Sequence, residues 1–446
     1  MNLDLLYHEH IAELRERHAR ALENCGFDRL LIHAGGPSAP FLDDNSYPFR
    51  VNPHFKHWLP LLQHPYSVLV VSADARPRLV YFQPEDYWHQ PPEDPEGFWV
   101  KHFDVVLARS PKQIAAALPA PGGRTAYIGD APELLGSFSE AQVNPAKLVA
   151  ELHFLRAYKT DYEIDCLRRA NLIAARGHNA ARDAFLGGGT ELDIHHAYLR
   201  GAGVLECELP YANIVAVNGH GSILHYHGAD RSRMQPQDIH SLVIDAGADY
   251  QGYASDITRS YAYRSGEYAE LVAAVDAEQR ALVDEVRIGM EFADLHWRGH
   301  LRLAHLLSRF DLVRLEPADI VERGVSSYFF PCGLGHFIGL QVHDVGGYLA
   351  NPAGEEFPRD PRAQFLRLVR KVEARQAFTI EPGIYFSDMQ MGELARSPAA
   401  GHINWDKVDR FRRYGGVRVE DCVVVHADGV ENQSRNGFRA IAGSDA

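Results

Sequence analysis

The chain has 446 residues, 46% hydrophobic and 23% charged, the balance of a folded protein rather than a disordered one. At about 150 residues per domain it has room for two or three domains. Fifty-nine acidic against 45 basic side chains give a formal charge of −14, and with no segregated basic patch this argues against nucleic acid or an anionic membrane as partner.

The opening stretch MNLDLLYHEHIAELRERHARAL reads as a charged amphipathic helix ending near Asn24, without the apolar core of a secretory signal. No apolar run approaches the roughly 18 residues of a membrane span. Strands are expected at Arg29–His33, 67–72, Arg78–Phe82 and Asp104–Ala108. A polar loop around Asp43-Asp44-Asn45 and a proline-rich loop, residues 87–92, lie between them. Five scattered cysteines (Cys25, Cys166, Cys207, Cys332, Cys422) include no CxxC pair, which points to reduced thiols in a cytoplasm and no structural zinc. A second unit begins at 159. Thr160-Asp161-Tyr162-Glu163 has capping-box spacing, an amphipathic pattern runs to Phe185, and Gly187-Gly188-Gly189 stops it. The expected division is therefore an α/β domain over 1–158 and an α+β domain over 159–446. The second carries a faint repeat: Gly189-Thr190-Glu191-Leu192 is echoed by Gly289-Met290-Glu291-Phe292, each starting a helix after a long one. Two helix–helix–sheet halves follow from that pattern.

Four segments of the second unit hold polar groups in apolar surroundings. In the first, LVIDAG (242–247) and ASDIT (254–258) read as a hairpin, and a loop centred between Tyr250 and Gln251 would set Asp245 opposite Asp256. The second, CGLGHFIGLQVHD, carries His336 and His343 among glycines; the third, AFTIEPGIY, carries Glu381; the fourth, GVRVEDCVVV, carries Arg418 and Glu420 on one strand face. Singly, each admits an ordinary role: turn chemistry, a core histidine, a strand-end carboxylate, an Arg–Glu pair. Together, four carboxylates and one imidazole would repel one another in a buried site without added positive charge. Two divalent cations supply it, and an oxygen-rich set with one nitrogen suits Mn²⁺, Co²⁺ or Fe²⁺. Two ions about 3.5–4 Å apart can ionise a water between them, which makes this a hydrolase site.

The ordered set Asp245, Asp256, His336, Glu381, Glu420, in the contexts IDAG…SDITR, GLGH, TIEPG and GVRVED, resembles the ligand signature of the pita-bread dinuclear metallopeptidases, a family that includes methionine aminopeptidase, proline aminopeptidase and prolidase. FLDDNSYPF, NPHFKHWLP and INWDKV resemble the bacterial prolidases related to organophosphorus acid anhydrolases. The resemblance implies a pita-bread catalytic domain preceded by an N-terminal domain for oligomerisation, in a cytoplasmic homodimer. It implies hydrolysis of Xaa-Pro dipeptides with two metal ions, Mn²⁺ foremost, and a side activity on phosphotriesters and phosphofluoridates. The five residues would ligate the ions, with Glu381 also moving a proton. His225 and His343 would touch the substrate and polarise its carbonyl, and Arg367 and Arg418 would receive its carboxylate. Leu366, Phe292 and Tyr211 would shape pockets, while Asp43 or Asp44 and Trp88 lie in loops that reach an active site in family dimers. An Xaa-Pro aminopeptidase, and a non-catalytic binding module on the same fold, are the alternatives. One departure stands out: relatives commonly have histidine where this chain has Cys332.

Overall fold

In a computed structural model, which describes residues 2–119, 123–132 and 141–444, the chain forms two compact units. One runs to Asp165 and adds the short segment Leu349–Glu356; the other comprises Cys166–Tyr348 and the chain from Phe357 onward.

The first unit opens with the helix Leu3–Cys25, capped by the Asn2 side chain on the Asp4 amide and closed by Gly26 at φ 76°. Six strands form one mixed sheet: β1 (Arg29–His33), β2 (Val68–Ser72), β3 (Arg78–Phe82), β4 (Asp104–Ala108), β5 (Thr125–Ile128) and β6 (Gln142–Val143). Their order is β4-β3-β2-β1-β5-β6, antiparallel from β1 to β3 and parallel elsewhere. Leu31, Val68, Val80 and Tyr127 fill the core on one side, alternate residues of strands rich in β-branched side chains. Residues 87–92 contain no helix or strand.

The helix Asp161–Leu186, whose first turn belongs to the first unit and whose remainder opens the second, starts where Thr160 and Glu163 cap each other reciprocally (2.8 and 3.3 Å). The helix Glu191–Ala202 follows, and both pack on β7 (Ile214–Val217) and β8 (Ser241–Asp245) through Phe185, Ile194, Tyr198, Leu242 and Ile244. The short β9 (Asp249–Tyr250) and β10 (Tyr253–Ala254) lead to β11 (Thr258–Ala262), giving the antiparallel order β11-β8-β7. The same succession then recurs. Helices Glu267–Glu285 and Phe292–Arg309 precede β12 (Ala377–Ile380), β13 (Gly383–Tyr385), β14 (Gly416–Arg418), β15 (Asp421–His426) and β16 (Gly429–Asn432). These form the sheet β12-β15-β16 and the pair β13-β14. A backbone bridge between Thr258 and Glu420 joins the two halves.

The register of the first hairpin differs from the expected one. Tyr253 faces Tyr250 and Thr258 faces Asp245, so Asp256 is not opposite Asp245. The turn centres further along the chain, between Gln251 (φ 54°) and Gly252 (φ 88°), because two consecutive positive-φ positions make the turn that matches strand twist.

Candidate metal centre

Asp245 ends β8, Asp256 and Thr258 stand at the entry to β11, Glu381 sits at the Pro-Gly bend between β12 and β13, and Glu420 lies between β14 and β15. His336 comes from a glycine-rich segment pressed against β12: its amide donates to Thr379 Oγ1 and its carbonyl accepts from the Thr379 amide. A Cβ on Gly335 would lie 2.0 Å from the Thr379 carbonyl oxygen, and one on Gly333 would lie 2.9 Å from the Leu366 Cα. Only glycine permits that approach.

These elements bring the five expected groups together. His336 Nε2 lies 3.4 Å from Asp256 Oδ2, 3.8 Å from Glu381 Oε1 and 3.9 Å from Glu420 Oε1. Asp245 joins through Tyr211, whose hydroxyl contacts Asp245 Oδ1 at 2.7 Å and Asp256 Oδ1 at 2.6 Å. The surroundings are dry: Asp256, His336 and Glu420 are all at most 5% exposed.

The electrostatics are those of a site short of positive charge. Burial pushes the Asp245 carboxyl up to about 6, with the Asp256 charge adding to it against the pull of Arg418. Burial likewise lifts Glu381 to about 7, and it raises Glu420 well above the carboxylate range, helped by its three carboxylate neighbours. Asp256 moves the other way: burial opposes its charge, but the hydrogen bond and charge of His336 outweigh that cost. The imidazole is raised in turn; burial opposes it, and Asp256 and Glu381 prevail.

Two details fit a divalent cation. Glu420 Oε1 is buried with no hydrogen-bond partner among the described residues, a costly arrangement for a carboxylate oxygen. His336 Nδ1 lies 2.9 Å from the Phe337 carbonyl, which assigns that nitrogen as donor and turns the Nε2 lone pair of the neutral ring towards three carboxylate oxygens. Only a proton or a cation makes that tolerable. Atoms of Asp256, His336 and Glu420 converge closely enough to share one ion.

Arg418 behaves differently from the expected carboxylate receptor. Its Nη2 pairs with Asp245 Oδ2 at 2.6 Å, Nη1 donates to the Tyr385 hydroxyl at 2.9 Å, and Nε donates to Thr258 Oγ1 at 3.0 Å. Thr258 Oγ1 in turn donates to Glu420 Oε2 at 2.8 Å. All three guanidinium nitrogens are thus committed inside the protein at 5% exposure, and the ion pair is with Asp245 rather than Glu420. Spacing alone does not single out Thr258 and Tyr385; their signal is adjacency to Asp256 and Glu381 in SDITR and EPGIY.

Arg367 is exposed and, among the described residues, makes no ion pair or hydrogen bond. His343 is exposed as well, its ring edge-on to His336 at 4.4 Å. His225 lies exposed in the irregular stretch after β7, near enough to Arg418 and Arg367 for their charges to lower its pKa after partial burial does so. Leu366 is buried beside Gly333. Phe292 is wholly buried, edge-on to Phe378 at 5.2 Å, where it backs the His336 segment. Asp43, Asp44 and Trp88 are exposed in the first unit, Asp43 holding the Asn45 amide at 3.0 Å. Cys332 is half-buried, and burial, then the nearby Glu381 charge, push its thiol pKa up.

Residues 5–154 match the model of the Xaa-Pro dipeptidase N-terminal domain, and residues 165–427 match that of metallopeptidase family M24. An Xaa-Pro dipeptidase of Pseudoalteromonas translucida is 46% identical over 97% of this chain and 98% of its own length. One from Aeromonas hydrophila is 44% identical over 96% and 98%. Among solved structures, an aminopeptidase P variant of Escherichia coli superimposes with a TM-score of 0.70 at 21% identity, covering 97% of this chain and 99% of that one. The proline aminopeptidase P II of Yersinia pestis gives 0.69 at 21%, with the same coverage. At that identity the likeness shows the fold, shared from end to end. With a family model over most of the second unit and full-length relatives above 40% identity, the chain belongs to metallopeptidase family M24.

Proposed function

We propose that this protein is a metal-dependent Xaa-Pro dipeptidase with two divalent ions per chain, held by Asp245, Asp256, His336, Glu381 and Glu420. The observation that carries the metal reading is the unpartnered Glu420 Oε1 beside an imidazole surrounded by carboxylates. The full-length likeness to Xaa-Pro dipeptidases carries the substrate. Mn²⁺ is the preferred ion, since oxygen-rich sites with one imidazole suit it, and Co²⁺ or Fe²⁺ are the alternatives.

The bond before proline is a tertiary amide with no N–H to grip. Divalent ions, when bound, polarise its carbonyl and make water nucleophilic near neutral pH. The chain does the rest. Arg418 fixes Asp245 and, through Thr258, Glu420, so the ligand set is oriented before substrate arrives. Glu381 is the group we assign to take the proton from the attacking water and deliver it to the prolyl nitrogen as it leaves. His225 and His343 contact the substrate, and Arg367, with its guanidinium uncommitted, receives the carboxylate that lies one residue beyond the scissile bond. We assign Tyr211 to tethering Asp245 and Asp256, and Leu366 and Phe292 to supporting the pocket wall. A modest hydrolysis of phosphotriesters and phosphofluoridates is expected from the same centre.

The N-terminal unit is assigned to assembly of a homodimer, with Asp44 and Trp88 in its substrate-facing loops. Phe41, Leu42, Tyr87 and Trp88 are all more than 80% exposed there, more apolar surface than a free loop favours. Five free cysteines suit a reducing cytoplasm, and no described helix is long and apolar enough to cross a membrane.

The test is a substrate panel with Mn²⁺-loaded protein. Xaa-Pro dipeptides should be cleaved with far higher kcat/KM than Xaa-Pro-Yaa tripeptides or phosphotriesters. Preference for the tripeptides would make the chain an aminopeptidase instead.

A further inference from the structure

The stretch from Val217 to Ser241 is long and holds only one short helical turn, Asn218–Ser222; residues 226–235 have no regular structure. Such a stretch lacks the ladder bonds that fix a strand, so something else must hold it. Asn218 ties its far end, accepting from the His240 and Ser241 amides and donating to the Asp238 carbonyl, and one buried carboxylate holds the near part. Glu191, the first residue of the helix Glu191–Ala202, is only 1% exposed, and both its oxygens are spent on this stretch. Oε1 accepts from the Val217 amide and contacts His220 Nδ1, each at 2.8 Å. Oε2 accepts from the Tyr226 hydroxyl at 2.8 Å and from the Asp230 amide at 2.7 Å. The Tyr226 ring also stacks on His220, centroids 4.5 Å apart, and a side chain on Gly228 would collide with the Tyr226 hydroxyl. Next to the carboxylate, the Leu192 amide donates to the Asp230 carbonyl at 3.3 Å.

We infer that Glu191 is a positioning residue of the peptidase site: a buried carboxylate that pins both ends of the segment 217–230 and thereby sets the place of His225, which follows the His220 anchor and precedes Tyr226 directly. Four hydrogen bonds saturate the carboxylate, so the loop supplies the polar environment that it needs, and the carboxylate holds the part of the loop from 217 to 230. In the second half of the domain the corresponding hold is made by backbone, and the half-exposed Glu291 carboxylate, among the described residues, only pairs with Lys371. There the Phe292 amide, after Glu291, donates to the Arg370 carbonyl at 3.1 Å, holding the segment that carries Arg367. The inference rests on His225 touching the substrate, as proposed above.

Glu191→Gln keeps the size of the side chain but turns an amide N–H₂ towards donors. Against Xaa-Pro dipeptides its kcat/KM should fall about tenfold to a hundredfold, the range expected when a reacting group is displaced by about an ångström. Metal content should match the wild type. Amide hydrogen exchange over 217–230 should quicken while exchange in β8 stays unchanged. The decisive reading is a double-mutant cycle: if Glu191 acts through His225, then Glu191→Gln combined with His225→Ala loses no more activity than His225→Ala alone. Tyr226→Phe, which removes one anchor without a cavity, should show a smaller loss with the same non-additivity, and it serves if Glu191→Gln fails to fold. Additive losses, or unchanged kcat/KM and exchange, would overturn the inference. A fully active His225→Ala would overturn the role assigned to His225, and the exchange data would still report whether Glu191 holds the loop.

Discussion

At the scale of single residues, the two arginines separate cleanly. Arg418 is buried and spends every guanidinium nitrogen on Asp245, Thr258 and Tyr385, whereas Arg367 stands exposed with its fork uncommitted. Arg418→Ala should therefore weaken metal binding about 10–100-fold, as loss of a group that orients ligands typically does. Arg367→Ala should leave metal content intact and raise KM for Xaa-Pro dipeptides about tenfold, the worth of a charged hydrogen bond. Metal titration alongside steady-state kinetics distinguishes the two, and a normal KM in Arg367→Ala would move the carboxylate site elsewhere. Asp256→Asn removes charge from the most crowded position and should lose at least one ion by elemental analysis.

Among the elements, the His336 segment is tightly constrained. It lies so close to β12 that a methyl at position 335 would meet the Thr379 carbonyl at 2.0 Å, and neither partner is a flexible side-chain end. Gly335→Ala should cost about 1–3 kcal/mol of stability, the usual range for overpacking, and should disturb metal binding as well because His336 is the next residue. Gly401 offers the control: a methyl there would meet nothing within 4 Å and its φ is not in the left-handed region, so Gly401→Ala should change stability by less than about 0.5 kcal/mol. Thermal melts of the two variants check this directly.

For the whole molecule, pH and metal are linked through the centre. Asp245 and Glu381 have folded-state pKa values near 6 and 7, above those of a free carboxyl, so the metal-free protein keeps protons there that the unfolded chain releases. With more protons on the folded state, stability falls as pH rises: the contribution is full below about 4 and is lost by about 7. Bound cations remove that loss by favouring the ionised carboxylates. The difference in melting temperature between metal-loaded and chelated protein should thus widen steadily from pH 5 to pH 7.5, each pKa unit being worth about 1.4 kcal/mol. A gap that is flat or narrows with pH would contradict the assignment of these carboxylates to the metal.

Most of the local structure is legible in the amino-acid order alone, which also singles out the residues we assign to the site. Strands at Arg29–His33, Arg78–Phe82 and Asp104–Ala108 and the helix start after Thr160 can be read there because side-chain period and capping chemistry are local properties. The five acidic and imidazole side chains stand out because a carboxylate in an apolar strand needs a reason to be there. Relations between distant segments belong to the folded chain instead. Hairpin register turns on which two residues adopt positive φ, a choice that hydrophobic alternation does not resolve. The commitment of Arg418 to Asp245 spans 173 positions, and the hold of Glu191 on the loop bearing His225 depends on four groups that no spacing rule connects. Burial makes those partnerships compulsory, because a charged group removed from water must find its hydrogen bonds wherever the fold supplies them.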